Sequence, residues 1–394
     1  MEKFKSLKIK LHSLVIFRSF LEKKTIKNLL KLLSCETSDI EKIVDCYSSF
    51  ALSLFLHSDN LSEYVLKYMI EDENIYMKAC CKSEEISEIL QNSLKNELEI
   101  LSQISSLSSK EITGEINYKG FLVSWNNTEY DLNKIYKERI KNLHKNGFGV
   151  YSRYHAFVLK DGKITAVKHP DTQKMSELFG YELERKRVID NTLSLLNGKT
   201  ASNVLLYGDA GTGKSSTVKA ICNEYKDRGL RLLEVKKNQL YQIPDIIDKL
   251  SANPLKFIIF IDDLSFSSND NDFAALKAIL EGSVGGKSSN IVVYATSNRR
   301  HLVKENFSDR EGDEIHLGDT IQELMSLSAR FGLKVSFSKP NKDLFSDIVF
   351  KLADLYDIDM PQDELLIKAE AHALRNGGRN PRLAKQFIEQ LKNL

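Results

Sequence analysis

The sequence predicts an α/β protein: a five-stranded parallel sheet with helices on both faces, preceded by an all-helical region and followed by a small helical one. Three observations carry this reading. Short, nearly continuous apolar runs at 203–207, 230–235, 257–261, 291–295 and 333–337 alternate with helical stretches, the pattern of parallel strands buried on both sides. Residues 1 to about 110 contain no Gly or Pro and repeat apolar positions at threes and fours, as in Ile26, Leu29, Leu30 and Leu33. Residues 341–394 are helical again, punctuated by Pro361 and Gly377-Gly378.

The remaining elements follow from local chemistry. A helix is expected over 131–145. Strand-like runs at 154–159 and 163–168 are joined by Asp161-Gly162, a two-residue hairpin signal, and His169-Pro170 ends them. Helices are expected over 182–196, over 214–226 with Gly229 as C-terminal cap, over 244–250 with Pro244 at its start, and over 272–281. At 394 residues the chain exceeds one compact core. The expected division is a helical N-terminal domain at 1–110, a linking segment with the hairpin at 111–172, an α/β core at 173–338 and a C-terminal helical part at 339–394.

Composition is that of an ordinary globular protein, with 42% apolar and 28% charged residues. Lys and Arg number 56 against 54 acidic residues, a net charge of +2, so no global field points to nucleic acid or to an anionic membrane. The five cysteines (Cys35, Cys46, Cys80, Cys81, Cys222) form no metal-binding spacing and read as reduced thiols. The short apolar stretch at 11–17 ends at Arg18 without a cleavage site, so the N-terminus reads as a helix start, not a leader. No run spans a bilayer, and the expectation is a cytoplasmic protein without membrane insertion.

The strongest chemical signal is the run Gly208, Asp209, Ala210, Gly211, Thr212, Gly213, Lys214, Ser215, followed by Ser216, between an expected strand and an expected helix. It matches G-x-x-x-x-G-K-[ST]: a loop whose backbone N–H groups surround phosphate oxygens at a helix N-terminus. Lys214 is expected to reach the β and γ phosphates, and the Ser215 hydroxyl to ligate Mg²⁺. Downstream, a buried strand ends in Asp262-Asp263. The first carboxylate suits Mg²⁺ and the second can polarise an attacking water. A third strand ends in Ala295-Thr-Ser-Asn298, where Asn298 can reach the γ-phosphate or the water.

The order of these motifs, with Ser326-Leu-Ser-Ala-Arg330-Phe-Gly and Gly378-Arg-Asn-Pro-Arg382 after them, resembles that of the AAA+ ATPases. More narrowly, the chain is similar to a family of bacterial AAA+ ATP-binding proteins without an assigned function. Its matching stretches include Gly147-Phe-Gly-Val, Tyr154-His-Ala-Phe, Asp262-Asp-Leu-Ser-Phe266 and Tyr294-Ala-Thr-Ser-Asn-Arg-Arg-His301. The resemblance runs from about Gly147 to the C-terminus. It implies an AAA+ module with a helical lid, ATP and Mg²⁺ as ligands, and Gly180-Tyr181 lining the adenine. It makes Asn298 a first sensor and Arg330 a finger acting on ATP in a neighbouring subunit of a homo-oligomer. Arg382 becomes a second sensor on the lid, with Arg379 as its competitor.

The chain departs from the superfamily in one place: Asp263 stands where a Glu is usual. Asp is one methylene shorter, and a misplacement of about 1 Å can cost ~100-fold in rate. The narrower family shares Asp-Asp. The guanine-reading Asn-Lys-x-Asp fails at Leu344, against a GTPase, and Asn341 reads as a helix cap. The function expected is ATP binding and hydrolysis that remodels or switches an unidentified protein or nucleic-acid client. An ATP-gated binding protein with little hydrolysis, or a nucleic-acid remodeller or loader, are the alternatives. Arg299-Arg300-His301 is the basic cluster near the site, and no zinc site or stacking platform accompanies it.

Overall fold

The computed structural model describes residues 2–36, 38–81, 85–264, 276–277, 279–280, 288–298 and 328–392. The expected helix at 272–281 falls largely outside these residues, as do Arg299, Arg300 and His301. The chain divides into two compact units, Met1–Arg153 and Tyr154–Leu394.

The first unit is helical: α1 (Glu2–His12), α2 (Lys24–Leu32), α3 (Ile40–Phe55), α4 (Leu61–Glu71), α5 (Ile75–Cys81), α6 (Glu88–Ser105), α7 (Ser109–Thr113), α8 (Leu132–Lys141), α9 (Leu143–Asn146) and α10 (Val150–Arg153). Asp39, Asn60, Ser87, Ser108 and Asp131 each cap a helix through the side chain. The apolar stripe picked out by spacing is core: Ile26 and Leu29 are fully buried alongside Phe17, Phe20, Phe50 and Trp125. Each such side chain contributes about 1.5–3 kcal/mol by burial. Glu97 is buried, and its carboxylate is satisfied by the backbone N–H groups of Val15, Ile16 and Phe17 at 2.9–3.0 Å. The helix expected over 131–145 breaks at Asn142, whose φ of −107° leaves the helical region.

The second unit holds a seven-stranded sheet in the order β2-β1-β4-β5-β6-β3-β7. Its strands are β1 (Ala156–Lys160), β2 (Lys163–Ala166), β3 (Val204–Gly208), β4 (Leu230–Glu234), β5 (Lys256–Ile261), β6 (Ile291–Ser297) and β7 (Leu333–Phe337). All five expected strands are present and parallel. Two more join them, because the hairpin expected in a linking segment pairs with the sheet: β1 runs parallel to β4, and β2 closes the edge antiparallel. Residues of both parities along β3, β5 and β6 are buried, as in a sheet covered on both faces. On one face, Val188 and Leu195 of α11 (Glu182–Leu196) and Val218, Ile221 and Cys222 of α12 (Lys214–Tyr225) pack on Val204, Leu206, Ile258, Phe260 and Tyr294. A further helix, α13 (Ile243–Ser251), carries Pro244 in its first turn, as expected.

Beyond β7 lie three lid helices, Lys342–Leu355, Gln362–Arg375 and Pro381–Lys392, with their own core of Phe345, Ile348, Val349, Leu365, Ala369 and Ile388. Asn341 caps the first, accepting from the Leu344 N–H at 2.9 Å. Among the described residues, no helix is long and apolar enough to cross a membrane.

Candidate nucleotide site

Parallel strands deliver their C-terminal ends to one edge of the sheet, where open α/β folds place their ligand crevice. Here that edge carries Gly208 at the end of β3, Asp262 and Asp263 after β5, and Asn298 after β6. Register makes them neighbours: Tyr207 lies beside Ser297, and Ile261 beside Ala295.

The loop between β3 and α12 needs its glycines for different reasons. Gly208 has φ +133°, and a Cβ there would lie 2.2 Å from the Phe337 carbonyl oxygen of β7. Gly213 has φ +91° with open space around it, so conformation alone demands glycine. Lys214 then opens α12 and brings the positive end of the helix to the loop. Its side chain is buried, and Nζ donates to the carbonyls of Gly208 (2.9 Å) and Asp209 (2.7 Å) and to Asn298 Oδ1 (3.0 Å). Burial lowers the Lys214 pKa, opposed by the charges of Asp209, Asp263 and Asp262.

Asp262 Oδ1 accepts from Ser215 Oγ at 2.6 Å, from Thr296 Oγ1 at 2.5 Å and from the Asp263 N–H at 3.1 Å. The Asp263 N–H also donates to Thr296 Oγ1 at 2.9 Å, and Asp263 has φ +52°. A non-glycine residue held in that region costs of order 1–3 kcal/mol and persists only where its surroundings enforce it. Asp263 Oδ1 accepts from Asn298 Nδ2 at 2.9 Å. The Asn298 amide therefore bridges the two charges, its oxygen toward the ammonium and its nitrogen toward the carboxylate.

These groups line one cavity of about 690 Å³, together with Ala210 to Ser216 and, from the lid, Ile348, Leu352, Arg382 and Lys385. Arg382 lines the cavity, and its backbone N–H donates to the Gly211 carbonyl at 3.2 Å. Arg379 does not: its Nε is held by both oxygens of Glu370, at 2.7 and 2.9 Å. Four residues expected to touch nucleotide, Gly180, Tyr181, Gly208 and Asp209, are not among those that line this cavity. The Asp209 carboxylate accepts from the Lys339 N–H at 2.7 Å and ties the loop to the chain after β7. Gly180, at φ +69°, abuts Ile348 of the lid. Tyr181, at φ +59°, turns its ring into the core beside Phe337, and its hydroxyl donates to the Ser338 carbonyl at 2.6 Å. The preceding Leu178 and Phe179 line the cavity instead. Arg330 also lies off the cavity lining, three residues before β7 and at the opposite end of that strand from Gly208.

Sequence reasoning missed Thr296. It stood within the quoted Ala295-Thr-Ser-Asn298, but a threonine in a buried strand is ordinary. Only the turn at Asp263 shows what its hydroxyl does.

A strand, a phosphate-type loop and a helix, with two carboxylates and an Asn on the adjoining strand ends and a helical lid, define a P-loop ATPase module of the AAA+ class. The chain belongs to the family described as "Protein of unknown function (DUF815)", whose family model matches residues 152–394. It is 33% identical over 116 residues to the replication factor C large subunit of Staphylothermus marinus, a match covering 27% of each chain. It is 25% identical over 190 residues to an AAA-ATPase of Arabidopsis thaliana, covering 39% of each. The chain thus spans 27% and 39% of the length of these relatives. Among solved structures it is similar to RuvB of Thermotoga maritima, at 16% identity and a TM-score of 0.37, over 56% of this chain and 64% of that one.

Proposed function

We propose that this protein binds ATP with Mg²⁺ in the cavity above β3 and hydrolyses it to remodel or switch a macromolecular partner in the cytoplasm. The observation that carries this is the convergence of Lys214, Ser215, Asp262, Asp263 and Asn298 at one sheet edge under a lid.

Ser215 Oγ and Asp262 Oδ1, already 2.6 Å apart, are the hard oxygen donors that suit magnesium. Bound there, the ion would neutralise charge on the β and γ phosphates. Lys214 exchanges its carbonyl partners for phosphate oxygens. The N–H groups of the loop and of the first turn of α12 bind the remaining oxygens. Asp263 orients a water on the γ-phosphate. A bond forms from that water oxygen to phosphorus, the bond to the β-phosphate oxygen breaks, and ADP leaves with the electron pair. The proton of the water passes toward the Asp263 carboxylate. Asn298 holds that carboxylate, and Arg382 reports the phosphate to the lid. Arg330 lies off its own chain's cavity, which supports its acting on ATP in a neighbouring copy, so that hydrolysis requires a homo-oligomer.

The likeness to replication factor C large subunits supports a nucleic-acid client as a second reading; retention on DNA that weakens steeply with salt tests it. For the main reading the test is ATP binding by calorimetry, with Mg²⁺, to wild type and Lys214→Ala. Binding in the wild type and none in the variant is expected. Equal binding by both removes the site.

A further inference from the structure

We infer that Thr296 is a positioning residue that holds Asp263 in its left-handed turn and thereby places the short carboxylate where hydrolysis needs it. This rests on the hydrolytic reading above.

Two successive backbone N–H groups are hooked onto this one residue. The Asp263 N–H donates to Thr296 Oγ1 at 2.9 Å, and the Leu264 N–H to the Thr296 carbonyl at 2.7 Å. The single hydroxyl proton of Thr296 is committed to Asp262 Oδ1, so its lone pairs face the Asp263 N–H. Thr296 lies at the centre of this arrangement, 2% exposed, on a strand whose neighbours fix its height. A donor to the metal-side carboxylate and an acceptor for the water-side backbone thus meet on one oxygen. The outcome is φ +52° at Asp263, which swings its carboxylate to Asn298 Nδ2 at 2.9 Å. The geometry accounts for the missing methylene: the reach that a longer acid takes from its side chain comes here from the backbone.

Valine keeps the shape of Thr296 and removes the oxygen. Thr296→Val is expected to lower the turnover number for ATP by about 100-fold, the cost of a misplaced group. KM for ATP and ATP affinity by calorimetry stay within twofold. Because the substitution also removes a hydrogen bond to Asp262, the rate is read at saturating Mg²⁺, where a loss that persists supports the route through Asp263 and a rate restored to wild type overturns it. Thr296→Ser restores the rate. Asp263→Glu lowers turnover in the wild-type background and raises it in Thr296→Val, a reversal of sign that general loss of packing does not produce. A crystal structure of Thr296→Val shows residue 263 at negative φ with its contact to Asn298 broken. Turnover unchanged in Thr296→Val, or positive φ retained there, overturns the inference. A wild type that binds ATP without turnover overturns the hydrolytic reading instead, and φ at residue 263 in the Thr296→Val structure still decides the role of Thr296.

Discussion

Asn298 Nδ2 donates to Asp263 Oδ1 at 2.9 Å. The other end of the same amide accepts from Lys214 Nζ at 3.0 Å. A cation that binds phosphate and a carboxylate suited to orient water are thereby linked through one neutral side chain.

The two lid arginines separate by experiment. Arg382 lines the cavity, so Arg382→Ala is expected to weaken ATP affinity or turnover about tenfold with little change in melting temperature, an effect on the order of the loss of one charge-assisted hydrogen bond. Arg379 pairs with the mostly buried Glu370, so Arg379→Ala lowers stability by roughly 0.5–1 kcal/mol and leaves ATP affinity alone. Calorimetry and thermal unfolding of both variants check this; the reverse pattern exchanges the roles.

Gly208 permits no side chain. With φ +133° and the Phe337 carbonyl 2.2 Å from a built Cβ, Gly208→Ala forces β3 and β7 apart. The expected loss is about 1–3 kcal/mol, read as a lower midpoint in urea, together with weaker ATP binding.

Arg330→Ala is expected to leave ATP affinity within twofold and to lower turnover by about 10³-fold, the contribution of a finger acting in trans. Mixing it with a Lys214→Ala protein restores part of the rate, because one copy supplies the arginine and the other the site. Turnover equal to wild type in the single variant contradicts the assignment.

His155 sets an acid limit on the second unit. Burial holds its imidazole below the ordinary 6.5, against the opposing contact of Nε2 with Asn223 Oδ1 at 3.1 Å. In the range below 6.5 the unfolded chain binds a proton that the folded chain resists, so stability is full above that pH and falls as pH drops through it. His155→Gln is expected to flatten this dependence of the unfolding midpoint between about pH 5 and 7. An unchanged pH profile contradicts it.

What was legible in the sequence follows from what is local. The five parallel strands announced themselves as apolar runs, and the loop at 208–215 as glycines at fixed spacing before a Lys. The hairpin was legible too, through Asp161-Gly162, but not its membership of the sheet. The pairing of β1 with β4 joins residues more than seventy positions apart, and nothing in either strand names its partner. The left-handed backbone at Gly180 and Tyr181, with the Tyr181 ring against Phe337 and with Leu178 and Phe179 lining the cavity, was not legible either. Glu370, nine residues before Arg379 and on the helix that precedes its loop, holds that guanidinium, a pairing that nothing local to Arg379 announces. Thr296 stayed hidden because its role belongs to the backbone of Asp263, which composition does not encode.

The decisive measurement is phosphate release from ATP by wild type and Asp263→Ala across a range of protein concentrations. Turnover is expected to rise more than linearly with wild-type concentration and to collapse in the variant while ATP still binds. Equal release by both proteins, or none from a wild type that binds ATP tightly at every concentration, would contradict it.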